Sequence, residues 1–137
     1  MTDAVVFDTE PIVAYLNGEP GSDVVEEWID RVASSEVRGY VNPVTKTEIL
    51  YVGSRIGFRW EDVQRSLDRL EELGVRVYPV ESCWERAAAF KEAYAIALGD
   101  SFALATADAV DGTLLVGADD DFDGVNVPIE RIRDEGV

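Results

Sequence analysis

Short apolar runs and longer amphipathic stretches alternate along this chain from end to end. Four runs have the length and apolar content of buried strands: residues 3–8, with Ala4 to Phe7 continuously apolar, and the stretches "GYVNPV", "VRVYPV" and "TLLVGA". Between them, apolar residues recur at the spacing of an α-helix, as Val25, Ile29 and Val32 do. Strands that alternate with helices predict an α/β fold with a mainly parallel sheet.

Local signals predict where several helices begin and end. Thr9 is a predicted N-cap for the first helix, and Gly18 is predicted to end it. A third helix is expected from near Thr45 to near Gly57. The fourth helix is predicted to place apolar residues on one face: Trp60, Val63, Leu67 and Leu70.

The second half of the chain shows similar signals. Ser82 and Glu85 form a capping-box pattern for a fifth helix. That helix is predicted to turn three residues toward the core: Trp84, Ala88 and Ala95. The stretch "GDSFALATADAV" is apolar on almost every side and predicts a buried sixth helix. A fifth strand is predicted at "VNV", and Pro128 is predicted to begin a short terminal helix.

The composition is that of a folded protein. With 137 residues, 47% of them hydrophobic, the chain is predicted to form a single domain over residues 1–137. It has no apolar run near the ~20 residues that cross a bilayer, and no signal-peptide pattern. Cys83 is the one cysteine, which excludes an internal disulfide. These features predict a cytoplasmic protein.

Two amino acids that are absent or rare limit the kinds of catalytic site that this chain can form. The chain has no histidine, which excludes Ser-His-Asp, Cys-His and histidine–metal sites. Its two lysines, Lys46 and Lys91, do not lie in a Walker A phosphate-binding loop. The reactive groups of an enzyme built from this chain would therefore be carboxylates, and oxygen-rich sites favour Mg²⁺ or Mn²⁺.

The net charge is −16, because 28 acidic residues face 12 basic ones. The acidic residues are spread along the chain and are not gathered in a tail. Concentrated salt makes such self-repulsion tolerable, since the Debye length falls to ~3 Å at 1 M. We interpret the charge as a halophilic surface; the alternative is an acidic surface that receives a basic partner.

Acidic residues follow the carboxyl ends of the predicted strands, where the sites of open parallel sheets form. Asp8 ends the first strand, Glu48 lies in the first turns of the third helix, and Asp100 opens the sixth. The acidic run 119–121 follows the fourth strand. Four separate stretches therefore bring carboxylates toward one rim of the sheet.

Each of these carboxylates also has a purely structural interpretation. Asp8 fits the cap of the first helix, and Asp100 fits an ordinary N-cap after Gly99. Glu48 completes a capping box with Thr45, and the run that begins at Asp119 fits a solvated turn. Single residues leave both interpretations open, and their joint placement favours a site.

Four stretches follow one another in a recognisable order: "VVFDTEPIVAYL", "VNPVTKTEILYV", "GDSFALATA" and "LLVGADDDF". Together they span nearly the whole chain and resemble the motifs of PIN-domain ribonucleases, in particular the VapC-type toxins of toxin–antitoxin pairs. The resemblance implies a PIN-like three-layer sandwich with a mainly parallel central sheet of four to five strands flanked by helices. It also implies cleavage of RNA, a Mg²⁺ or Mn²⁺ cofactor, a cognate antitoxin and a homodimer.

The resemblance maps a set of site residues onto this chain: Asp8, Glu48, Asp100 and Asp119 as the acidic metal site, Asp121 as a second acid of the last motif, and Thr9 as the supporting hydroxyl residue. Asp8 and Asp100 are the expected direct ligands. The chain departs from the family where a threonine or serine often precedes Asp119 by two places, because Gly117 stands there. Asp119 and Asp121 therefore both stay candidates for the last ligand.

RNA binding usually requires a basic patch, which this acidic chain lacks overall. Four arginines are candidates for a local positive strip near the rim: Arg38, Arg55, Arg59 and Arg86. Three aromatic residues could stack on bases, although core packing is the commoner role of such residues: Tyr15, Tyr51 and Trp60.

Two other functions are compatible with carboxylates at strand ends. A metal-dependent phosphatase or phosphoryl-transfer domain is one, but "DTE" lacks the second aspartate of a DxDxT motif. A non-catalytic PIN-like binding module is the other, and the presence of all four acids argues against it. The favoured prediction is a Mg²⁺- or Mn²⁺-dependent endoribonuclease without a membrane partner.

Overall fold

A computed structural model describes residues 3–118 and 121–134. Its five strands are β1 (Ala4–Phe7), β2 (Arg38–Val41), β3 (Arg76–Val77), β4 (Thr113–Val116) and β5 (Ile129–Arg131). They form one sheet in the order β3-β2-β1-β4-β5, and every pairing is parallel. The predicted mainly parallel sheet of four to five strands is confirmed.

Six α-helices connect and cover the strands: α1 (Thr9–Asn17), α2 (Ser22–Ala33), α3 (Pro43–Arg55), α4 (Trp60–Glu72), α5 (Trp84–Ala93) and α6 (Leu98–Ala109). Gly18 ends α1 in the left-handed region, with φ 63°, and its N–H bonds to the Ala14 carbonyl as a helix C-cap does. The predicted end of the first helix is therefore confirmed.

The strands of the sheet alternate their side chains between two buried layers. Val5 and Phe7 of β1 pack among residues from α1 to α4, including Ile12, Val25, Ile49 and Leu67. The intervening Val6 packs on the other face with Leu104 and Ala107 of α6. Because both faces of the sheet are covered, β1 is continuously apolar and β4 is apolar from Leu114 to Val116, as is usual for parallel strands.

The third helix is capped by a residue that the sequence analysis did not select. Asn42 Oδ1 accepts a 2.8 Å hydrogen bond from the Val44 N–H, while its amide donates to Thr106 Oγ1 and Cys83 Sγ. Thr45 is buried inside the first turn, and its hydroxyl has no hydrogen-bond partner. The capping box of Thr45 with Glu48 was wrong, because Pro43 already starts the helix two residues earlier.

The fifth helix also begins differently from its prediction. Ser82 closes a short 3₁₀ turn, Val80–Ser82, and no side chain caps α5. Ala87 is the buried residue of α5, and Trp84 is 56% exposed. The capping box at Ser82 and the inward placement of Trp84, Ala88 and Ala95 were wrong.

The segment after β4 differs most from expectation. "VNV" is an irregular connection, and residues 129–131 form β5 beside β4. The Pro128 carbonyl accepts a 2.9 Å hydrogen bond from Leu114, so the chain at Pro128 joins the sheet and does not start a helix. Pairing with the edge of β4 satisfies backbone groups that an isolated helical turn would leave to water. None of the described helices is long and apolar enough to cross a membrane.

Candidate metal centre

Asp8 lies where β1 turns into α1 and is almost completely buried. Its backbone N–H donates a 3.0 Å hydrogen bond to the Leu115 carbonyl, which extends the pairing of β1 with β4 by one residue. Asp8, not Thr9, occupies the N-cap position, but its side chain makes no capping hydrogen bond. Its Oδ1 is buried without a hydrogen-bond partner. A helix cap therefore does not account for this carboxylate.

The environment of Asp8 opposes its negative charge. The pKa of Asp8 is raised to about 8 from its ordinary 3.8, first by burial and then by the charges of Asp100, Glu48 and Glu10, against a lowering by the hydrogen bond from the Thr9 backbone N–H. A buried carboxylate beside other carboxylates is costly to ionise unless a cation joins the group.

Glu48 reaches the same region from α3. Its Oε1 accepts a 2.9 Å hydrogen bond from the Thr9 hydroxyl. Both of its carboxylate oxygens would lie 2.6 Å from a Cβ placed on Gly99, in the first turn of α6. Only a glycine at position 99 therefore lets the Glu48 carboxylate approach the N-terminus of α6 so closely, where the helix dipole favours an anion.

Asp100 is half-buried in the first turn of α6, which is capped at Ala97. The interpretation of Asp100 as an ordinary N-cap is therefore wrong. Its charge is the largest electrostatic contribution to the raised pKa of Asp8. Asp100 therefore lies close enough to Asp8 for their charges to interact, and both residues line one cleft.

These side chains border one cleft of ≈ 380 Å³ at the carboxyl edge of the sheet. Among the described residues that line it, five are acidic and none is lysine or arginine. The lining residues are Asp8, Thr9, Glu10, Val13, Glu19, Glu48, Val52, Ile56, Asp100, Gly117 and Phe122. The structure thus brings together Asp8, Thr9, Glu48 and Asp100, as the sequence predicted for one rim.

Sequence analysis missed two acidic residues of the cleft, Glu10 and Glu19. The carboxylate of Glu10 lies over Gly117, and Arg133 donates a hydrogen bond to its Oε1. Gly117 was noted only as a missing hydroxyl, whereas the structure fills that space with the Glu10 side chain. The absence of a side chain at position 117 was the signal that could have revealed Glu10.

The last acidic motif is only partly described. Asp119 lies outside the described residues. Asp121 is exposed and is not among the described residues that line the cleft, although the next residue, Phe122, is buried there. The choice between Asp119 and Asp121 therefore stays a prediction.

The acidic residues surround the cleft without converging on one point. Across residues 3–118 and 121–134, no three acidic side chains are already close enough together to hold an ion. The residues nevertheless fit a hard divalent cation, because Asp8 Oδ1 is buried and unpartnered and every polar group offered is an oxygen.

The predicted arginine strip is divided between two edges of the sheet. Arg38 begins β2, and Arg86 pairs with Asp108 near the end of α6, so both lie away from the cleft. Arg55 directly precedes Ile56, which lines the cleft, and Arg59 follows Ile56 by three residues. Tyr51 and Trp60 are 58% and 51% exposed, so the core interpretation was wrong for both.

Comparison with known proteins identifies the family of the fold. The model of the PIN domain matches residues 5–128. No curated protein matches the chain.

Three solved structures are similar to it over almost its full length. A toxin–antitoxin complex from Klebsiella pneumoniae matches with TM-score 0.72 and 19% identity, over 95% of this chain and 98% of that one. VapBC2 from Rickettsia felis, bound to a DNA fragment from the promoter, matches with TM-score 0.68 and 17% identity, over 93% and 98%. FitAcB from Neisseria gonorrhoeae matches with TM-score 0.60 and 20% identity, over 93% and 97%. At such identities, these likenesses establish the fold.

Proposed function

Because this chain belongs to the PIN-domain family, we propose that it is a Mg²⁺- or Mn²⁺-dependent endoribonuclease and the toxin of a toxin–antitoxin pair. The observation that carries the proposal is Asp8, a buried carboxylate with an unpartnered oxygen in a cleft bordered by four other acids. An arrangement so costly without a cation is expected where a cation is needed for function.

Asp8 and Asp100 would hold the cation directly, with Glu48 and Asp119 as direct or water-mediated ligands and Asp121 as the alternative to Asp119. Bound there, a divalent ion supplies Lewis-acid activation of water and neutralises charge on a scissile phosphate. Thr9 orients Glu48 through its hydroxyl. The chain offers no histidine for proton transfer, so the carboxylates act mainly by position and charge.

RNA would meet an acidic cleft, so its contacts away from the cation must come from the rim. Val52 and Ile56 line the cleft, which places the exposed end of α3 beside it. There the Arg55 guanidinium donates a 2.7 Å hydrogen bond to the Tyr51 hydroxyl. Exposed aromatic rings with a nearby guanidinium bind unpaired bases by stacking. Single-stranded RNA is therefore the expected form of the substrate.

The similar structures include toxin–antitoxin complexes, and we extend that partnership to this chain. An antitoxin tail with an arginine or lysine would compete with the cation for the same carboxylates, so we expect inhibition by displacement. Exposed Ile56 and Trp60 offer apolar contact for the antitoxin or for a second copy in a homodimer. The cytoplasm is the expected location, because it contains the RNA.

The test uses purified protein freed of metal with EDTA and then supplied with Mg²⁺ or Mn²⁺. We expect cleavage of a single-stranded RNA only after the ion is restored, and no hydrolysis of a phosphomonoester. Hydrolysis of the phosphomonoester alone would favour the phosphatase alternative. Cleavage of neither substrate, together with retained binding of a small basic partner protein on co-expression, would favour a non-catalytic module.

A further inference from the structure

Glu10 and Gly117 occupy one space at the end of β4. Glu10 lies in the first turn of α1, two residues beyond Asp8, and lines the same cleft. A Cβ built on Gly117 would lie 2.0 Å from the nearest carboxylate oxygen of Glu10 and 2.5 Å from the other. Gly117 directly follows β4, so the carboxylate fills the position that a side chain would otherwise take at this strand end.

Arg133 fixes the Glu10 side chain in this position. One of its nitrogens, Nη2, donates to Glu10 Oε1, and the other, Nη1, donates a 2.9 Å hydrogen bond to the Pro20 carbonyl. The Arg133 side chain is only 13% exposed, whereas that of Glu10 is 40% exposed. A guanidinium held at two points thus orients Oε1 of the carboxylate and leaves Oε2 nearest to Gly117.

We propose that Glu10 is a further carboxylate of the metal site, admitted to the end of β4 by Gly117 and oriented by Arg133. The proposal rests on the metal-dependent function proposed above. The observation that points to a cation here is Asp8 Oδ1, which is buried without a partner, and Glu10 lines the same cleft two residues farther along the chain.

Glu10 also has a simpler role as an acid in the first turn of a helix that pairs with an arginine. That role predicts a loss of stability when the charge is removed, but no specific loss of metal affinity. Glu19 provides the matched comparison, because it lines the same cleft but accepts its hydrogen bond from Asn17 at 2.9 Å. Any general effect of removing one negative charge from the cleft should appear equally when Glu10 or Glu19 is neutralised.

The experiment measures Mn²⁺ binding to the full chain by calorimetry. Glu10→Gln keeps a hydrogen-bond acceptor for Arg133 and should weaken Mn²⁺ binding by about 10-fold to 100-fold. Glu19→Gln should weaken it by no more than about threefold, because salt screens a distant charge. Gly117→Ala retains every charge but displaces the Glu10 carboxylate, and should weaken binding as much as Glu10→Gln does. In the Glu10→Gln background, Gly117→Ala should weaken Mn²⁺ binding almost no further.

Equal effects of Glu10→Gln and Glu19→Gln would overturn the assignment of Glu10. If Gly117→Ala does not fold, the comparison of Glu10 with Glu19 decides alone. Asp8→Asn separates this inference from the proposed function. If Asp8→Asn loses Mn²⁺ binding while Glu10→Gln binds Mn²⁺ as well as the parent, Glu10 is not part of the site, but the proposed function is unaffected. A parent protein that binds no Mn²⁺ would overturn both.

Discussion

The Thr9 hydroxyl donates a 2.9 Å hydrogen bond to Oε1 of Glu48, which is 39 residues away in the sequence. The bond joins the first turn of α1 to α3 across the cleft. It orients a carboxylate with a neutral donor, so the negative charge remains available to a cation. We therefore propose that Thr9 positions the Glu48 carboxylate.

Thr9→Val removes this donor while keeping the branched shape of the side chain. We expect RNA cleavage and Mn²⁺ affinity to fall roughly 10-fold, and the free energy of unfolding to fall by about 1 kcal/mol. The matched control is Thr47→Val, since the Thr47 hydroxyl is exposed and bonds only to the Pro43 carbonyl of its own helix. Equal cleavage by the parent and Thr9→Val would show that Glu48 needs no orientation by Thr9.

Gly99→Ala tests the approach of Glu48 to α6. The new Cβ would lie 2.6 Å from both Glu48 carboxylate oxygens, so the flexible end of Glu48 must move away. We expect Mn²⁺ affinity to fall about 10-fold, although alanine favours a helix by up to ~1 kcal/mol over glycine. Calorimetry and thermal melting together measure the two effects. If the loss of affinity is as large in a Glu48→Gln background, Gly99 does not act through Glu48.

The raised pKa of Asp8 predicts a pH dependence of stability in the absence of metal. Folded Asp8 binds its proton up to a pKa of about 8, whereas in the unfolded chain it loses it near 3.8. Its contribution to stability is therefore complete below about pH 4 and is lost as pH rises through about 8. With EDTA present, the parent should lose more stability than Asp8→Asn over this window, by a few kcal/mol, since one pKa unit corresponds to about 1.4 kcal/mol.

Asp111→Asn is the control for this measurement, because Asp111 is exposed and its left-handed backbone tolerates asparagine. Denaturant unfolding at several pH values measures the difference between each variant and the parent. A curve for Asp8→Asn parallel to that of the parent would contradict the burial of an ionisable Asp8.

The net charge of −16 predicts that salt stabilises the fold. Repulsion among 28 acidic residues decreases as ions screen it, so the melting temperature should rise from dilute buffer to molar KCl. In dilute buffer, Mg²⁺ should raise the melting temperature more in the parent than in Asp8→Asn, because binding to the folded site adds stability. A melting temperature that stays constant or falls with KCl would contradict the halophilic interpretation and favour a basic partner as the reason for the charge.

The sequence predicted the parts of the fold that depend on short, continuous signals. The apolar run before Asp8 has no polar position, which fits a strand covered on both faces, and Gly18 is a helix end that local chemistry fixes. The prediction for residues 129–131 failed because their pairing with β4 depends on a long-range contact that local propensity does not show.

The residues of the candidate site were likewise predicted only where their position follows from local sequence signals. Asp8, Glu48 and Asp100 follow strand ends or open helices, so a general rule for parallel sheets located them. Glu10 was missed because its position depends on Gly117 and on Arg133, which is 123 residues away. Trp84 was misplaced because it is the first residue of α5, where its large apolar side chain predicted burial although the helix buries Ala87.

RNA cleavage by the metal-free protein before and after Mn²⁺ is restored tests the proposed chemistry most directly. The parent and Asp111→Asn should cut single-stranded RNA only with the ion, while Asp8→Asn and Asp100→Asn should lose roughly 100-fold in rate with the ion present. Both inactive variants should melt no lower than the parent in EDTA, because Asp100→Asn removes a repelling charge from the cleft and Asp8→Asn replaces a buried carboxyl that is costly to ionise. Cleavage that is equally fast in EDTA, or in Asp8→Asn with Mn²⁺, would contradict a metal site centred on Asp8.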